Sequence, residues 1–317
     1  MRICHRELDP YPGYEAHVTM MLQTDRNGTV PIDELQRMLR SYELREGESM
    51  EDISIPGVHE GQTIALRIFR PAEMIPNAPV ILDVHGGGFT RGSMAIDNDR
   101  CLKLARYSGC LVASVEYRLA GETVSFPEPL LDCHRAYLWL SENAASLGGD
   151  GTRLGLHGTS AGGGLCAGLA LYLRDRGEPT PALTVLNCPT LDNVPSTSKH
   201  QFGSLAHWDV PYPQIGYVQY AGMNRGITPS YYALPNKCED LRGLGPHLIV
   251  TAEYDPLRDE GLAYGLRLLE TGIPCEMFSA PRVTHGFCAV DHPLSRWLHR
   301  GIAASFRREF GLEIAEI

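Results

Sequence analysis

Six short apolar runs, separated by longer segments with helical periodicity, constrain the fold of this chain most strongly. They are PVILDV (79–84), CLVASVEY (110–117), RLGLHG (153–158), ALTVLNCP (182–189), HLIVTAE (247–253) and CEMFSA (275–280). Because each run is apolar at successive positions, it is typical of a strand buried on both faces of a parallel sheet. Before them, from Glu51, the chain contains EDISIPG and TIALRIFRP. The alternating pattern of TIALRIF predicts a half-buried antiparallel strand that pairs with the run before it.

Five segments that lie between or after these runs predict helices. They are NDRCLKLARYSG, EPLLDCHRAYLWLSENAASLG, SAGGGLCAGLALYLRDRG, DEGLAYGLRLLETG and PLSRWLHRGIAASFRREFG. Strands that alternate with helices in this way predict an α/β fold with a doubly wound, mostly parallel sheet flanked by helices. Ligands bind such sheets outside the carboxyl ends of the strands, so we expect the functional site there.

Two segments do not follow the alternation of strands and helices. Residues 1–50 include the helical pattern IDELQRMLRSYELREG, and residues 190–235 are rich in proline, glycine and aromatic side chains. We expect both segments to cover the carboxyl edge of the sheet as two parts of a helical cap, although the aromatic residues fit ordinary packing equally well. The core of the fold is then formed by residues 51–189 and 236–317.

Charge and composition exclude several classes of function. The 317-residue chain has 28 Lys and Arg against 38 Asp and Glu, a net charge of −10, and no block of basic residues. Nucleic acids and anionic membranes are therefore unfavourable partners. The apolar run GLCAGLALYL (164–173) is half the length that a bilayer requires. We therefore expect no stable membrane insertion.

The cysteines and the first residues of the chain bear on its location. The nine cysteines form no C-x-x-C pair and show no regular spacing, and several lie in apolar runs. This pattern predicts mostly buried, reduced thiols. The N-terminal sequence MRICHRELDP lacks the apolar region of a secretory signal. Together these features predict a cytoplasmic protein.

The sequence Gly158-Thr159-Ser160-Ala161-Gly162 lies between an apolar run and a predicted helix. In that context the G-x-S-x-G pattern is typical of a nucleophile elbow, a sharp strand-to-helix turn that exposes the serine hydroxyl. The flanking glycines are needed because side chains at their positions would collide with the neighbouring strand and helix. A serine hydroxyl also needs a nearby base, and that base needs a carboxylate that orients it.

His285 is the candidate base. On this type of sheet the chain order is serine, acid and then histidine, and only His285, His292 and His299 lie beyond the candidate acids. His285 follows the run CEMFSA, where a loop reaches the carboxyl edge of the sheet, whereas His292 and His299 belong to the last predicted helix. We therefore prefer His285.

Asp255 is the candidate acid. It is the first aspartate after the run HLIVTAE, and Pro256 follows it as the expected start of a helix. Three nearby acids are alternatives: Glu253, Asp259 and Glu260. The first of them is still near the end of the strand, and the other two resemble acids that the helix dipole favours in a first turn.

The glycine run HGGGF, His85 to Phe89, directly follows the run PVILDV. Consecutive glycines let backbone N–H groups point towards a substrate, as an oxyanion hole requires. The N–H group of Ala161, the residue after the candidate nucleophile, is a further donor of this kind. The run matches neither G-x-G-x-x-G nor G-x-x-x-x-G-K-[ST], so nucleotide binding is not expected.

Five motifs in a fixed order resemble one known family. They are HGGGF, YRLA (117–120), GTSAGG (158–163), YDPLRDEG (254–261) and THGF (284–287). Together they resemble the hormone-sensitive-lipase-like family of α/β-hydrolases, also called bacterial family IV esterases, in its GTSAG branch. The resemblance covers about residues 60–310. After YRLA the chain departs from the family pattern P-E-H-x-[FY]-P-A and has GETVSFPEPLLDC instead.

The resemblance implies an α/β-hydrolase fold with a helical cap and a specific set of site residues. It implies a catalytic triad of Ser160, Asp255 and His285. The implied oxyanion donors are the backbone groups of Gly86, Gly87 and Ala161. It also implies that His85 is a structural partner of the glycine loop and not a base.

The function implied by the resemblance is hydrolysis of carboxylic esters with short to medium acyl chains. An acyl-enzyme would form, and neither a metal nor an organic cofactor is needed. Members of the family often form homodimers. Hydrolysis of amides, formamides or lactones on the same triad is the alternative activity. A non-catalytic small-molecule receptor is disfavoured, because receptors that resemble this family lose the triad histidine and this chain retains it.

Overall fold

The eight predicted strands lie in one sheet in the computed structural model, which describes residues 8–17, 42–202 and 212–313. Their bounds are β1 Ser49–Pro56, β2 Thr63–Arg70, β3 Ala78–Val84, β4 Leu111–Val115, β5 Gly149–Thr159, β6 Thr184–Asn187, β7 His247–Tyr254 and β8 Cys275–Thr284. The spatial order is β1-β2-β4-β3-β5-β6-β7-β8. β2 pairs antiparallel with β1 and β4, and the other neighbours are parallel. The predicted α/β fold with a mostly parallel sheet is confirmed.

The five predicted helices are also present, and two more lie in the segment 190–235. The bounds are α1 Asn98–Ser108, α2 Glu128–Asn143, α3 Ala161–Arg176, α4 Thr197–Phe202, α5 Tyr212–Tyr220, α6 Arg258–Glu270 and α7 Pro293–Glu309. Gly109 and Gly177 end α1 and α3 with φ angles of 71° and 65°. The left-handed conformation at these glycines is the usual way in which a helix ends.

Helices cover both faces of the sheet and create two apolar cores. α2, α3 and α6 pack on one face, where Val80, Leu82 and Val84 of β3 point. α1 and α7 pack together on the other face, where Ile81 of β3 and Phe306 of α7 are fully buried. Because successive side chains of a strand point to opposite faces, the continuous apolar run of β3 fills both cores.

The helix predicted for IDELQRMLRSYELREG is not tested over most of its length, since residues 18–41 lie outside the described part of the chain. The helix prediction is wrong for its C-terminal end, because residues 42–47 form irregular chain and a turn. Gly47 there has a φ of 82°, and the Glu48 carboxylate accepts hydrogen bonds from the Arg106 side chain and the Arg45 backbone. These contacts fix a turn that leads directly into β1, which begins at Ser49 rather than at residue 51.

The described cysteines agree with the predicted pattern of reduced thiols. Eight of them are free, and all of these except Cys275 are buried. Cys4 lies outside the described residues. Among the helices that the structure describes, none is long and apolar enough to cross a membrane.

Two neighbouring leucines of α6 test the assignment of the core. Leu268 is fully buried beneath the sheet, whereas Leu269 is 47% exposed. We expect Leu268→Ala to lower the free energy of unfolding by about 2–5 kcal/mol, because it removes buried methyl groups and leaves a cavity. Leu269→Ala, the matched control in the same helix, should cost less than about 1 kcal/mol. Urea denaturation measures both, and equal losses would contradict the packing described here.

Candidate active site

Ser160 lies at a sharp turn between β5 and α3. Its backbone has φ 59° and ψ −121°, a conformation that residues other than glycine rarely adopt. Two backbone hydrogen bonds hold the turn. The Ser160 N–H donates to the Asn187 carbonyl at 2.9 Å, and the Thr190 N–H donates to the Ser160 carbonyl at 3.0 Å. Strained serine geometry between a strand and a helix is the context that a nucleophile elbow requires.

The glycines on either side of Ser160 occupy positions with no room for a side chain. A Cβ atom at Gly158 would lie 2.3 Å from the Gly162 carbonyl oxygen. A Cβ atom at Gly162 would lie 2.0 Å from the Val84 carbonyl oxygen of β3. The G-x-S-x-G spacing is therefore a steric requirement of this turn, as the sequence suggested.

The three residues predicted as a triad meet at the carboxyl edge of the sheet. His285 Nε2 lies 3.0 Å from Ser160 Oγ, and His285 Nδ1 lies 2.8 Å from Asp255 Oδ2. The second carboxylate oxygen of Asp255 accepts a hydrogen bond from the Leu257 backbone N–H at 2.9 Å. One imidazole thus connects a serine hydroxyl to an oriented carboxylate, which is the arrangement that activates a serine.

Burial and the neighbouring carboxylate act in opposite directions on His285. Burial disfavours the charged imidazolium, but the negative charge of Asp255 and its hydrogen bond outweigh that effect. The pKa of His285 is therefore raised above its ordinary value of 6.5. An imidazole of raised pKa is a stronger base for the proton of Ser160.

The alternative acids are engaged elsewhere. Glu253 accepts a hydrogen bond from the Arg282 backbone N–H at 2.8 Å. Glu260 accepts the Leu191 backbone N–H at 2.7 Å and pairs with Lys199. Asp259 pairs with the adjacent arginine of α6. Asp255 is accordingly the acid that the structure places beside His285.

The alternative histidines are part of α7 and its start. His292 is the N-cap of α7, and its Nδ1 accepts a hydrogen bond from Leu294 N at 3.1 Å. His299 is buried, and its Nε2 lies 3.0 Å from the Cys288 carbonyl oxygen. Burial lowers the pKa of His299 to about 3, so this histidine stays neutral.

The glycine loop after β3 lies against the serine turn. A Cβ atom at Gly86 would lie 3.3 Å from Ser160 Cβ, and one at Gly87, where φ is 125°, would lie 2.0 Å from the Arg91 carbonyl oxygen. Within the described part of the chain, the N–H groups of Gly86, Gly87 and Ala161 donate to no protein acceptor. These groups are therefore available to a bound oxyanion.

His85 holds the glycine loop through contacts with Tyr117 and Gly86. Its ring stacks on Tyr117 with the centroids 4.2 Å apart, and the Tyr117 hydroxyl donates to the His85 carbonyl at 3.0 Å. Its Nδ1 lies 2.7 Å from the Gly86 carbonyl oxygen. Burial lowers the pKa of His85 below its ordinary value. These contacts give His85 the structural position that the resemblance implied.

Residues 8–17 pack against the loop that carries His285. His17 Nε2 lies 3.1 Å from the His285 carbonyl oxygen. The Tyr14 hydroxyl, which is fully buried with its ring, lies 2.6 Å from Ser295 Oγ near the start of α7. Residues 8–17 therefore help to hold the loop of His285 in place.

The short helix α4 contacts the loop that carries Asp255. The Ser198 backbone N–H donates to Asp259 Oδ2 at 2.7 Å, and the Ser198 hydroxyl donates to the Pro256 carbonyl at 2.7 Å. Both acceptors lie within four residues of Asp255. The first part of the segment 190–235 is thus fastened to the acid loop.

Helix α5 lies directly on the glycine loop. A Cβ atom at Gly216 would lie 2.4 Å from the Gly88 carbonyl oxygen. The rings of Phe89 and Tyr220 are parallel, with their centroids 4.1 Å apart. The Tyr220 carbonyl also accepts the Phe126 backbone N–H at 2.6 Å. The candidate oxyanion loop is therefore in close contact with the second part of 190–235.

The sequence profile of the alpha/beta hydrolase fold family matches residues 81–289. The chain belongs to this alpha/beta hydrolase family. The match includes the glycine loop, the serine turn and the loops of Asp255 and His285.

Several esterases are similar to this alpha/beta hydrolase. The carboxylesterase NlhH of Mycobacterium tuberculosis is 32% identical over 262 residues, which are 78% of this chain and 79% of NlhH. An arylesterase of Saccharolobus solfataricus is 34% identical over 72% of this chain and 74% of its own length. The solved structure of a bacterial heroin esterase is 33% identical, covers 95% of this chain and 98% of its own, and has a TM-score of 0.86. The predicted resemblance to this group of esterases is confirmed.

The loop in which the chain departs from the family motif is tied to the segment after α5. The Arg225 side chain donates to the Gly121 carbonyl at 2.9 Å and to the Thr123 carbonyl at 3.3 Å. Because Arg225 lies in 190–235, these contacts connect the divergent loop to that segment.

Cys188 is a site neighbour that the sequence analysis missed. Its thiol, the Asp255 carboxylate and the His285 imidazole offer three ligand atoms within 4.8 Å of one another, the one such group among the described residues. Burial raises the pKa of the Cys188 thiol well above its ordinary value. A metal needs the thiolate, and Asp255 already binds the imidazole. The group therefore fits a protonated thiol beside the triad better than a metal ion.

Adding one methyl group by substitution tests the contact between α5 and the glycine loop. We expect Gly216→Ala to lower kcat/KM on a short-chain ester by about 10-fold or more, since the new Cβ atom would displace the loop that carries Gly86 and Gly87. Gly301→Ala in α7 is the matched control, because among the described residues no atom outside the adjacent helix backbone lies within 4 Å of the added methyl group. Steady-state kinetics with melting temperatures measure both variants. Unchanged kinetics of Gly216→Ala would contradict the contact.

Proposed function

We propose that the protein is a serine hydrolase of carboxylic esters, with Ser160, His285 and Asp255 as its triad. One observation carries the proposal: the His285 imidazole lies 3.0 Å from Ser160 Oγ and 2.8 Å from Asp255 Oδ2 at the carboxyl edge of the sheet. Relatives named carboxylesterase, arylesterase and esterase support the ester as substrate.

In the first half-reaction, Ser160 Oγ attacks the ester carbonyl carbon while His285 Nε2 takes the hydroxyl proton. Asp255 holds the imidazole in the tautomer with the proton on Nδ1 and stabilises the imidazolium that forms. The negative oxygen of the tetrahedral intermediate accepts hydrogen bonds from the backbone N–H groups of Gly86, Gly87 and Ala161. Each such donor is worth about 3–4 kcal/mol in the transition state.

Collapse of the intermediate releases the alcohol, which receives the proton from His285, and leaves an acyl group on Ser160. Water then attacks the acyl carbon, with His285 as the base, and a second tetrahedral intermediate uses the same oxyanion donors. The carboxylic acid leaves and Ser160 regains its proton. No step uses a metal or an organic cofactor.

We further propose that residues 1–50 and 190–235 form the cap, and that residues 51–189 and 236–317 form the core. The contacts of residues 8–17, α4 and α5 with the three site loops support this division. A cap in close contact with the loops suits short to medium acyl chains. Hydrolysis of amides, formamides or lactones on the same triad is the alternative, and no contact among the described residues favours it.

Two further predictions concern the setting of the enzyme. The free, mostly buried cysteines support a reducing compartment such as the cytoplasm. A homodimer is supported by exposed apolar side chains at the sheet edge formed by β8, among them Met277 of β8 and the 51% exposed Trp297 of α7. An edge strand with apolar neighbours is a surface on which a second copy can pack.

Substitution of the nucleophile is the first test. Wild-type protein should hydrolyse p-nitrophenyl esters in a chain-length series, with the highest kcat/KM on short acyl chains. Ser160→Ala should lower kcat by at least about 10⁴-fold, leaving the residual rate that oxyanion donors and binding provide. The variant should melt like the wild type. Activity that survives in Ser160→Ala would exclude this triad, and turnover of amides or lactones alone would favour the alternative activity.

The acid limb of the pH profile tests the base. Catalysis needs neutral His285, and its pKa is raised above 6.5 by Asp255 against the effect of burial. The kcat/KM of the free enzyme should therefore fall as the pH decreases, with a midpoint above pH 6.5. Tryptophan fluorescence over the same range controls for unfolding. A midpoint at or below pH 6.5 in folded protein would contradict the assigned environment of His285.

A further inference from the structure

A buried ionic group lies near the candidate active site and is centred on β3, whose other side chains are all apolar. Asp83 is the one acidic residue of β3, and its side chain is fully buried. Its Oδ1 accepts hydrogen bonds from His157 Nδ1 of β5 at 2.8 Å and from Arg100 Nη2 of α1 at 2.9 Å. The mechanism proposed above uses none of these three side chains.

The other carboxylate oxygen of Asp83 is equally well satisfied. The Ser114 hydroxyl of β4 and the Cys101 thiol of α1 each lie 3.2 Å from Asp83 Oδ2. Arg100 also pairs with Asp97 at 2.7 Å, and its side chain is 11% exposed. The group therefore joins three neighbouring strands and α1 through one buried carboxylate.

Arg100 extends this group to the serine turn. Its Nη1 donates to Thr159 Oγ1 at 2.8 Å, while its Nη2 bonds Asp83. Thr159 directly precedes Ser160. The Asn187 side-chain amide donates to the same Thr159 hydroxyl at 3.3 Å, and the Asn187 carbonyl accepts the Ser160 N–H. The Thr159 side chain is thus held from two directions beside the residue with the strained backbone.

Thr159 and Ser160 also lie against the glycine loop. A Cβ atom at Gly86 would lie 3.1 Å from the Thr159 carbonyl oxygen and 3.3 Å from Ser160 Cβ. A displacement of Thr159 would therefore change the position of Ser160 relative to the candidate oxyanion donor Gly86. A planar guanidinium can hold two acceptors in a fixed relative geometry, which a lysine ammonium cannot do.

Stability alone gives a weak reason for such a group. Desolvation of buried charges consumes most of the energy that their pairing provides, and apolar replacements of similar size are often as stable. A buried group that connects the strand of the glycine loop to the strand of the nucleophile has a more specific use in fixing the distance between them.

We propose that Arg100 is a positioning residue for ester hydrolysis: through the Thr159 hydroxyl it holds the Ser160 turn in register with β3 and the glycine loop. The proposal rests on the proposed function, because it assigns Arg100 a role in the reactivity of Ser160. It predicts that loss of the Arg100–Thr159 contact lowers the reactivity of Ser160 more than it affects substrate binding.

The first experiment removes the acceptor. Thr159→Val keeps the shape of the side chain and removes the hydroxyl, and Thr159→Ser restores a hydroxyl. The readout is the rate of inactivation by a small fluorophosphonate, in which Ser160 Oγ bonds to phosphorus, fluoride leaves and His285 takes the proton. We expect Thr159→Val to lower this rate and kcat by about 10-fold, with KM changed less than about 2-fold. Thr159→Ser should recover most of the loss.

Thr184→Val is the matched control. Thr184 is a buried threonine of β6, next to β5, and its hydroxyl has no hydrogen-bond partner among the described residues. The same substitution there should leave inactivation and kcat unchanged. Melting temperatures of all variants identify any general loss of stability, and rates are compared at temperatures where each variant is folded.

A second experiment tests whether Arg100 acts through Thr159. Arg100→Lys keeps the charge beside Asp83 and Asp97 and lacks the planar fork, so it should lower the inactivation rate to a similar extent. If both residues act through one contact, the double variant should react no more slowly than the slower single variant. Independent effects that multiply in the double variant would overturn the proposal.

The outcomes separate this proposal from the proposed function. Wild-type protein that does not react with the fluorophosphonate at Ser160 would contradict the triad itself. Wild-type protein that reacts, together with Thr159→Val that reacts at the same rate, would overturn the role of Arg100 and leave the triad intact. A loss in Thr159→Val that Thr159→Ser does not recover would also overturn it, since the hydroxyl would then not be the group that matters.

Discussion

The close approach of two backbones underlies the rest of the site. Gly162, in the first turn of α3, lies so near β3 that a Cβ atom would be 2.0 Å from the Val84 carbonyl oxygen. Because β3 and β5 are parallel neighbours, the loops that follow them leave the same edge of the sheet side by side. Backbone packing alone therefore brings Gly86 next to Ser160. Main-chain packing thus brings the nucleophile close to the candidate oxyanion donors, and the side-chain contacts of Arg100 and Thr159 act on that arrangement.

That packing requires a strained serine, and its surroundings offset the strain. A non-glycine residue at φ 59° costs on the order of 1–3 kcal/mol. The Ser160 N–H donates to the Asn187 carbonyl, and the Ser160 carbonyl accepts N–H groups of Gly164 and Thr190. Hydrogen bonds of this kind contribute about 1 kcal/mol each. The serine turn is consequently held by the strand β6, by its own helix and by the start of the segment 190–235.

The sequence predicts the sheet, the helices of the core and the position of each candidate site residue, because these depend on local periodicity and chain order. The Arg100–Asp83–His157 group was not predicted, since it depends on register. A shift between Pro79 and Val80 places Asp83 opposite His157 in the parallel pair β3 and β5. A slip of one residue would point Asp83 to the other face of the sheet. A single aspartate in an apolar run was the available signal, but the run does not reveal its partners.

The contacts of the outer segments imply that catalytic geometry is not a property of the core alone. Residues 8–17 contact the His285 loop, α4 contacts the Asp255 loop, and α5 contacts the glycine loop. A sequence change in these segments can therefore displace a loop that carries a candidate reacting group. Close contacts such as that of Gly216 with Gly88 transmit small displacements, because tightly packed atoms have little room to move.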